Sequence, residues 1–160
     1  MTQHPNASPS VRRLPKKHDM LARYWKFGIV QLLEFLREKL PLSETHMESF
    51  IYGAYTLTSL LLEDVGAFAA VWEECLGDLA RYLYGIEQND QGKKDHWRDV
   101  ARKWYCKTIE ENGGVEGRLM HHVGILSKDD VCLQLYYFAK RYVSFVHSLW
   151  SFGVCFDMGC

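Results

Sequence analysis

Arg81 and Tyr82 stand side by side and are the most pointed pair of chemical groups in the 160-residue chain. A guanidinium presents a planar fork of donors that fits phosphate oxygens, and a neighbouring phenol adds one more. The same arginine can instead pair with Asp78, three residues earlier, or with Glu74, and merely brace a helix. The residue types alone leave both readings open. Arg12, Arg13, Lys16 and Lys17 form a basic group near the N-terminus, and Lys93–Lys94 is the other basic cluster. Four such charges can add salt-sensitive contacts to RNA or DNA, or they can be simply solvated.

The remaining reactive side chains point away from catalysis. Adjacent His121 and His122 project about 100° apart on a helix and make no common ligand face. No His-x-x-x-His or Cys-x-x-Cys spacing accompanies them, so no metal site is expected. No phosphate-cradling glycine loop and no G-x-S-x-G elbow occurs. The acidic pairs Glu73–Glu74 and Glu110–Glu111 read as solvated helix faces and not as an acid/base couple. The expectation is a protein that is not an enzyme and carries no cofactor.

Composition narrows the class. Hydrophobic residues make up 48% and the formal net charge is -1, which fits a chain with a packed core and no dominant field of one sign. Cys75, Cys106, Cys132, Cys155 and Cys160 are widely spaced and odd in number, which predicts reduced thiols. The first residues contain no apolar secretory stretch, and no apolar run has the length of a membrane span. By exclusion the expected location is cytoplasmic or nuclear, with no membrane partner.

The elements that must position these groups are helices. Pro5, Pro9 and Pro15 lie among polar and basic residues, so residues 1–18 read as a disordered basic arm. After Pro41 there is no proline, which permits helix after helix. Apolar residues recur at threes and fours through Leu21, Trp25, Ile29, Leu32 and Leu36, and again through Met47, Ile51, Ala54, Thr58 and Leu62. A third stripe runs Val65, Phe68, Trp72, Cys75, Leu76, Leu79 and Leu83. The polar linker 88–95 follows it. Trp97, Ala101, Trp104, Tyr105 and Thr108 make a fourth stripe, closed by Gly113 and Gly114. Leu119, Val123 and Leu126 make a fifth, and Val131, Leu135, Phe138, Ala139, Tyr142, Val143 and Val146 a sixth. Ser43, Thr45 with Glu48, Asp64, and Ser127 with Asp130 are the expected caps. The chain also carries a weak internal echo: Ala101-Arg-Lys-Trp-Tyr105 resembles Ala139-Lys-Arg-Tyr-Val143, an offset of 38 residues. Such a period suits stacked helical hairpins, with an irregular helical bundle as the alternative.

The segment Cys75-Leu-Gly-Asp-Leu-Ala-Arg-Tyr82 contains G-D-x-x-R-Y on a helix. It resembles 14-3-3 proteins and the family of the telomerase protein "ever shorter telomeres one" and the SMG nonsense-decay factors. Ala101-Arg-Lys-Trp-Tyr-Cys-Lys107, His121-His-Val-Gly-Ile-Leu126 and Leu135-Tyr-Tyr-Phe-Ala-Lys140 resemble the same family, most closely its fungal members. The resemblance covers about residues 20–143. It implies an all-α, 14-3-3-like tetratricopeptide array of antiparallel helices whose concave groove takes a phosphoserine peptide. It also implies a role in nonsense-mediated mRNA decay or telomere maintenance. Arg81 and Tyr82 match the family's phosphate-binding arginine and tyrosine. The second phosphate ligand there is a lysine on an earlier helix. Aligned on Trp25, this chain has Gln31 near that place, and Lys26 lies about a turn and a half earlier.

These readings give residues 1–18 as the arm, 19–146 as the helical-repeat domain and 147–160 as an atypical apolar tail. The family continuation past residue 143 is missing, so the array is expected to be incomplete at its C-terminus and open to self-association there. The expected function is a non-catalytic adaptor binding a protein or phosphopeptide partner. The alternatives are a DNA/RNA-binding domain using the basic arm, and a structural fragment with no ligand.

Overall fold

The structure is a computed structural model that describes residues 9–111 and 117–151, with side chains over 13–111 and 117–144. Among the described residues every regular element is helical and no strand occurs. The helical stripes thus make an all-α array. The chain divides into two compact units, Met1–Ala101 and Arg102–Cys160, where the sequence suggests one domain over 19–146. The division falls inside a continuous helix. No proline or glycine lies between Lys93 and Glu111 to mark it.

In the first unit, α1 (Pro9–Lys17) occupies half of the stretch expected to be a disordered arm. Pro9 suits the first helical position because its fixed φ is already helical and its missing N–H is not needed there. Lys16 and Lys17 sit in the last turn, where cations favour the helix dipole. Residues 1–8 lie outside the described residues. Asp19, at φ 46°, then turns the chain, a left-handed conformation that aspartate tolerates better than most residues.

α2 (Met20–Arg23) runs through a π-helical stretch (Tyr24–Val30) into α3 (Gln31–Arg37). The wider π turn holds an extra residue and shifts the phase of everything after it. Ile29 and Leu33 are therefore the buried residues, whereas Leu32, which regular spacing places inward, is exposed. Ser43 immediately precedes α4 (Glu44–Asp64) but does not cap it; its hydroxyl donates backwards to the Leu36 carbonyl. Thr45 lies inside α4 and so forms no capping box with Glu48.

Asp64 ends α4 instead of opening the next helix. A 3-10 turn (Gly66–Phe68) leads into α5 (Ala69–Ile86), and the chain direction changes by 109° between the two helices. Trp72 secures this corner by donating its indole N–H to the Val65 carbonyl at 3.3 Å. The core of the unit joins Ile29 and Leu33 to Met47, Ile51 and Ala54 of α4 and Leu79 and Leu83 of α5. α5 is buried on more than one face. Glu73, expected in solvent, is only 1% exposed, and Asp78 is also buried. α6 (Gln91–Glu111) starts inside the stretch read as a linker, because Asp90 caps it: its Oδ1 accepts the Lys93 N–H at 3.1 Å.

In the second unit, α7 (Gly117–Leu126) and α8 (Val131–Ser151) form an antiparallel hairpin. Leu119, Met120, Val123 and Leu126 are buried. Asp130 caps α8 by accepting the Leu133 N–H at 3.0 Å, while Ser127 donates back to Val123. Gly124 allows the close approach of the helices: a Cβ there would lie 2.5 Å from Phe138 Cε1. α8 does not bury the stripe that its spacing suggests. Leu133, Gln134 and Tyr137 are half-buried, whereas Val131, Leu135, Tyr142 and Val143 are exposed. Gly113 and Gly114, the expected helix stop, and residues 152–160 of the tail lie outside the described residues.

Candidate functional site

The first unit brings Arg81 and Tyr82 together with acids. Both side chains leave α5 half-buried, and the Arg81 guanidinium carbon lies 5.6 Å from the Tyr82 ring centre. Arg81 Nη2 donates to Asp78 Oδ1 at 3.0 Å, the i,i+3 brace open from sequence. The Tyr82 hydroxyl donates to Glu34 Oε1 of α3 at 3.0 Å, and Glu34 Oε2 meets Arg37 Nη2 at 2.6 Å. Burial and the carboxylate of Glu34 hold the Tyr82 phenol above its ordinary pKa. The cluster therefore sets two guanidinium groups against two carboxylates. A dianionic phosphate entering it would meet Asp78 and Glu34 at hydrogen-bond distance from the groups it needs.

Lys26 is not brought into this cluster. It is exposed on the π-helical stretch with its Nζ 5.4 Å above the Phe27 ring, and no hydrogen bond or ion pair among the described residues joins it to Arg81 or Tyr82. Gln31, also exposed, lies one helical turn before Glu34. Of the basic group, Arg13, Lys16 and Lys17 are exposed on α1, and the side chain of Arg12 lies outside the described residues.

Two open cavities were not legible from motifs. In the first unit Met20, Arg23, Tyr24, Phe27 and Gly28 line one of about 410 Å³. Tyr24 is fixed by a hydrogen bond of 3.0 Å to Thr58, which itself donates to the Ala54 carbonyl, and by an edge contact with Trp72. Tyr24 thus donates, and burial keeps its phenol above the ordinary pKa. Met20 and Phe27 are exposed at the mouth.

The second cavity, about 490 Å³, lies on the second unit against His121, Phe138, Arg141 and Tyr142. Arg141 Nη1 lies 2.8 Å from His121 Nδ1. A guanidinium only donates, so Nδ1 accepts and the neutral ring carries its proton on Nε2. Desolvation first, and Arg141 second, push the His121 pKa below its usual value. The His121 ring also packs 5.6 Å from Phe138. Arg141 and the neutral His121 ring therefore both bring N–H donors to this cavity. The signal in the sequence is compositional: α7 and α8 contain Arg118, Lys140 and Arg141 and no aspartate or glutamate.

Among the described residues no group of three or more His, Cys, Asp or Glu could hold a metal ion, and Cys106 and Cys132 are free thiols. No single described helix is long and apolar enough to cross a membrane. Comparison with family models, with curated proteins and with solved structures gives no match.

Proposed function

We propose that this chain is a non-catalytic helical adaptor that binds a peptide segment of a protein partner. The observation that carries the reading is the open cavity of the first unit, where Met20 and Phe27 are left exposed beside Tyr24. Apolar side chains gathered in water around a concave site favour a partner that covers them. The G-D-x-x-R-Y resemblance supports a phosphoserine peptide, with Arg81, Tyr82 and Lys26 as its contacts, in nonsense-mediated decay or telomere maintenance. For that use Asp78 and Glu34 must release Arg81 and Tyr82, so an unphosphorylated segment is the ligand that needs the least rearrangement.

The test is fluorescence anisotropy with labelled phosphoserine peptides and their plain counterparts. Phe27→Ser should weaken both sets with unchanged circular dichroism. Arg81→Lys should weaken only a phosphate-dependent component, because an ammonium cannot reproduce the bidentate fork, and Gln31→Lys should strengthen that component. Equal, weak binding by all four proteins would end the adaptor reading.

A second reading rests on charge. Arg12, Arg13, Lys16, Lys17, Arg23 and Lys26 fall within one short run that contains a single acid, Asp19. As a nucleic-acid contact this run predicts steep salt dependence. Deleting residues 1–18 should lower RNA or DNA affinity and flatten the salt slope; survival of both would exclude the arm as the site.

A further inference from the structure

We infer that the outer face of α8 is a second docking site, and that it takes an acidic amphipathic helix from a partner protein. Val131, Leu135, Phe138 and Tyr142 are spaced four, three and four residues apart, which puts them on one narrow stripe of α8. Val131 is 73%, Leu135 67% and Tyr142 69% exposed, while Phe138 is half-buried against α7. The stripe runs about 16 Å along the helix, longer than a small ligand and of the length that about three helical turns of a partner cover. At its Tyr142 end it opens into the cavity of about 490 Å³ lined by His121, Phe138, Arg141 and Tyr142.

Charge decides the occupant. α7 and α8 carry Arg118, Lys140 and Arg141 and no acid. Asp129 and Asp130 lie in the turn at the opposite end of the hairpin from Arg141, and Asp130 is engaged in capping α8. On α6, Glu111 is 3.8 Å from Lys107. A second copy laid on this face would bring the cations of two acid-free helix pairs together, which like-charge repulsion opposes. A helix with apolar residues at positions i, i+3, i+4 and i+7 and carboxylates beside them gains the stripe and meets Arg141 and His121 Nε2–H as donors.

The probe is a labelled synthetic peptide of about 16 residues, helical, with a Leu/Phe stripe flanked by glutamates. Its counterparts carry lysine in place of glutamate, or serine in place of the stripe. Binding to the full chain is read by fluorescence anisotropy. The glutamate peptide should bind roughly tenfold or more tightly than either counterpart, and more weakly as salt rises. Leu135→Ser, at an exposed position, should abolish binding without changing the circular dichroism. Arg141→Glu should reverse the preference towards the lysine peptide. Phe27→Ser should leave this binding intact, which separates the site from the one proposed on the first unit. Equal affinity for the glutamate and lysine peptides overturns the proposal. So does a dimer in sedimentation equilibrium that Leu135→Ser dissociates, since the face would then belong to a second copy.

Discussion

Gly124→Ala should destabilise the protein, and the same substitution should stabilise it once Phe138 is shortened. An alanine Cβ at 124 falls 2.5 Å from Phe138 Cε1, 2.8 Å from Cδ1 and 3.2 Å from Cζ. Carbon atoms rest at about 3.5–4.0 Å, so the ring edge must retreat by about 1 Å. Relative to glycine, alanine favours the helix by about 1 kcal/mol. Overpacking a close contact costs about 1–3 kcal/mol. The contact dominates, leaving a net loss of about 1 kcal/mol. In a Phe138→Ala background the obstructing atoms are gone and the helical preference remains, so Gly124→Ala should gain up to about 1 kcal/mol. Urea unfolding followed by circular dichroism, at matched m-values, measures all four corners of the cycle. A stabilisation of equal size in both backgrounds would refute the close contact, and with it the packing that leaves Val131, Leu135 and Tyr142 outward.

Two other substitutable or titratable groups give independent checks. Tyr82→Phe removes the hydroxyl that donates to Glu34 and should lower stability by about 1 kcal/mol, less than a buried hydrogen bond to a charged group contributes because the pair is only half-buried; an unchanged urea midpoint would mean that the contact is not formed. Tyr137, desolvated and 3.8 Å from Cys106 Sγ, has its pKa pushed up to about 12. The folded state then holds this proton more tightly than the unfolded chain, so the contribution is complete below about pH 10 and is lost as pH rises towards 12. Ultraviolet titration should find a late-ionising tyrosine that disappears in Tyr137→Phe.

Helix type and most helix positions were legible because apolar spacing is local. Met47, Ile51, Ala54, Leu76, Leu79, Leu83, Leu119 and Val123 all read as core from their spacing and are buried. The failures have a common physical form. The π-helical turn at Tyr24–Val30 changes the residues per turn, and no local rule marks it, so Leu32 was given the place that Leu33 holds. Asp90 belongs by composition to a linker, and its capping role depends on the helix that follows. Glu73 and the stripe of α8 failed in opposite directions: periodicity says which residues share a face and not whether anything lies against that face. The i,i+3 pairing of Asp78 and Arg81 was legible. The approach of Glu34 to Tyr82, from 48 residues away, was not.

The two candidate sites differ in a way that bears on which anions the protein prefers. Around Arg81 and Tyr82 the donors already meet carboxylates of the same unit. A phosphate must compete with Asp78 and Glu34, and the net field it enters is close to neutral. At the α7–α8 cavity the donors come from Arg141 and from a histidine kept neutral by desolvation and by that arginine. No carboxylate stands on either helix, so an incoming carboxylate has none of α7 or α8 to displace. The first arrangement resists a dianion unless its own ion pairs open. The second accepts a monoanion provided that an apolar body covers Leu135 and Tyr142 as it binds. Recognition of acidic residues on an amphipathic helix therefore requires less of this fold than recognition of phosphoserine at the G-D-x-x-R-Y segment.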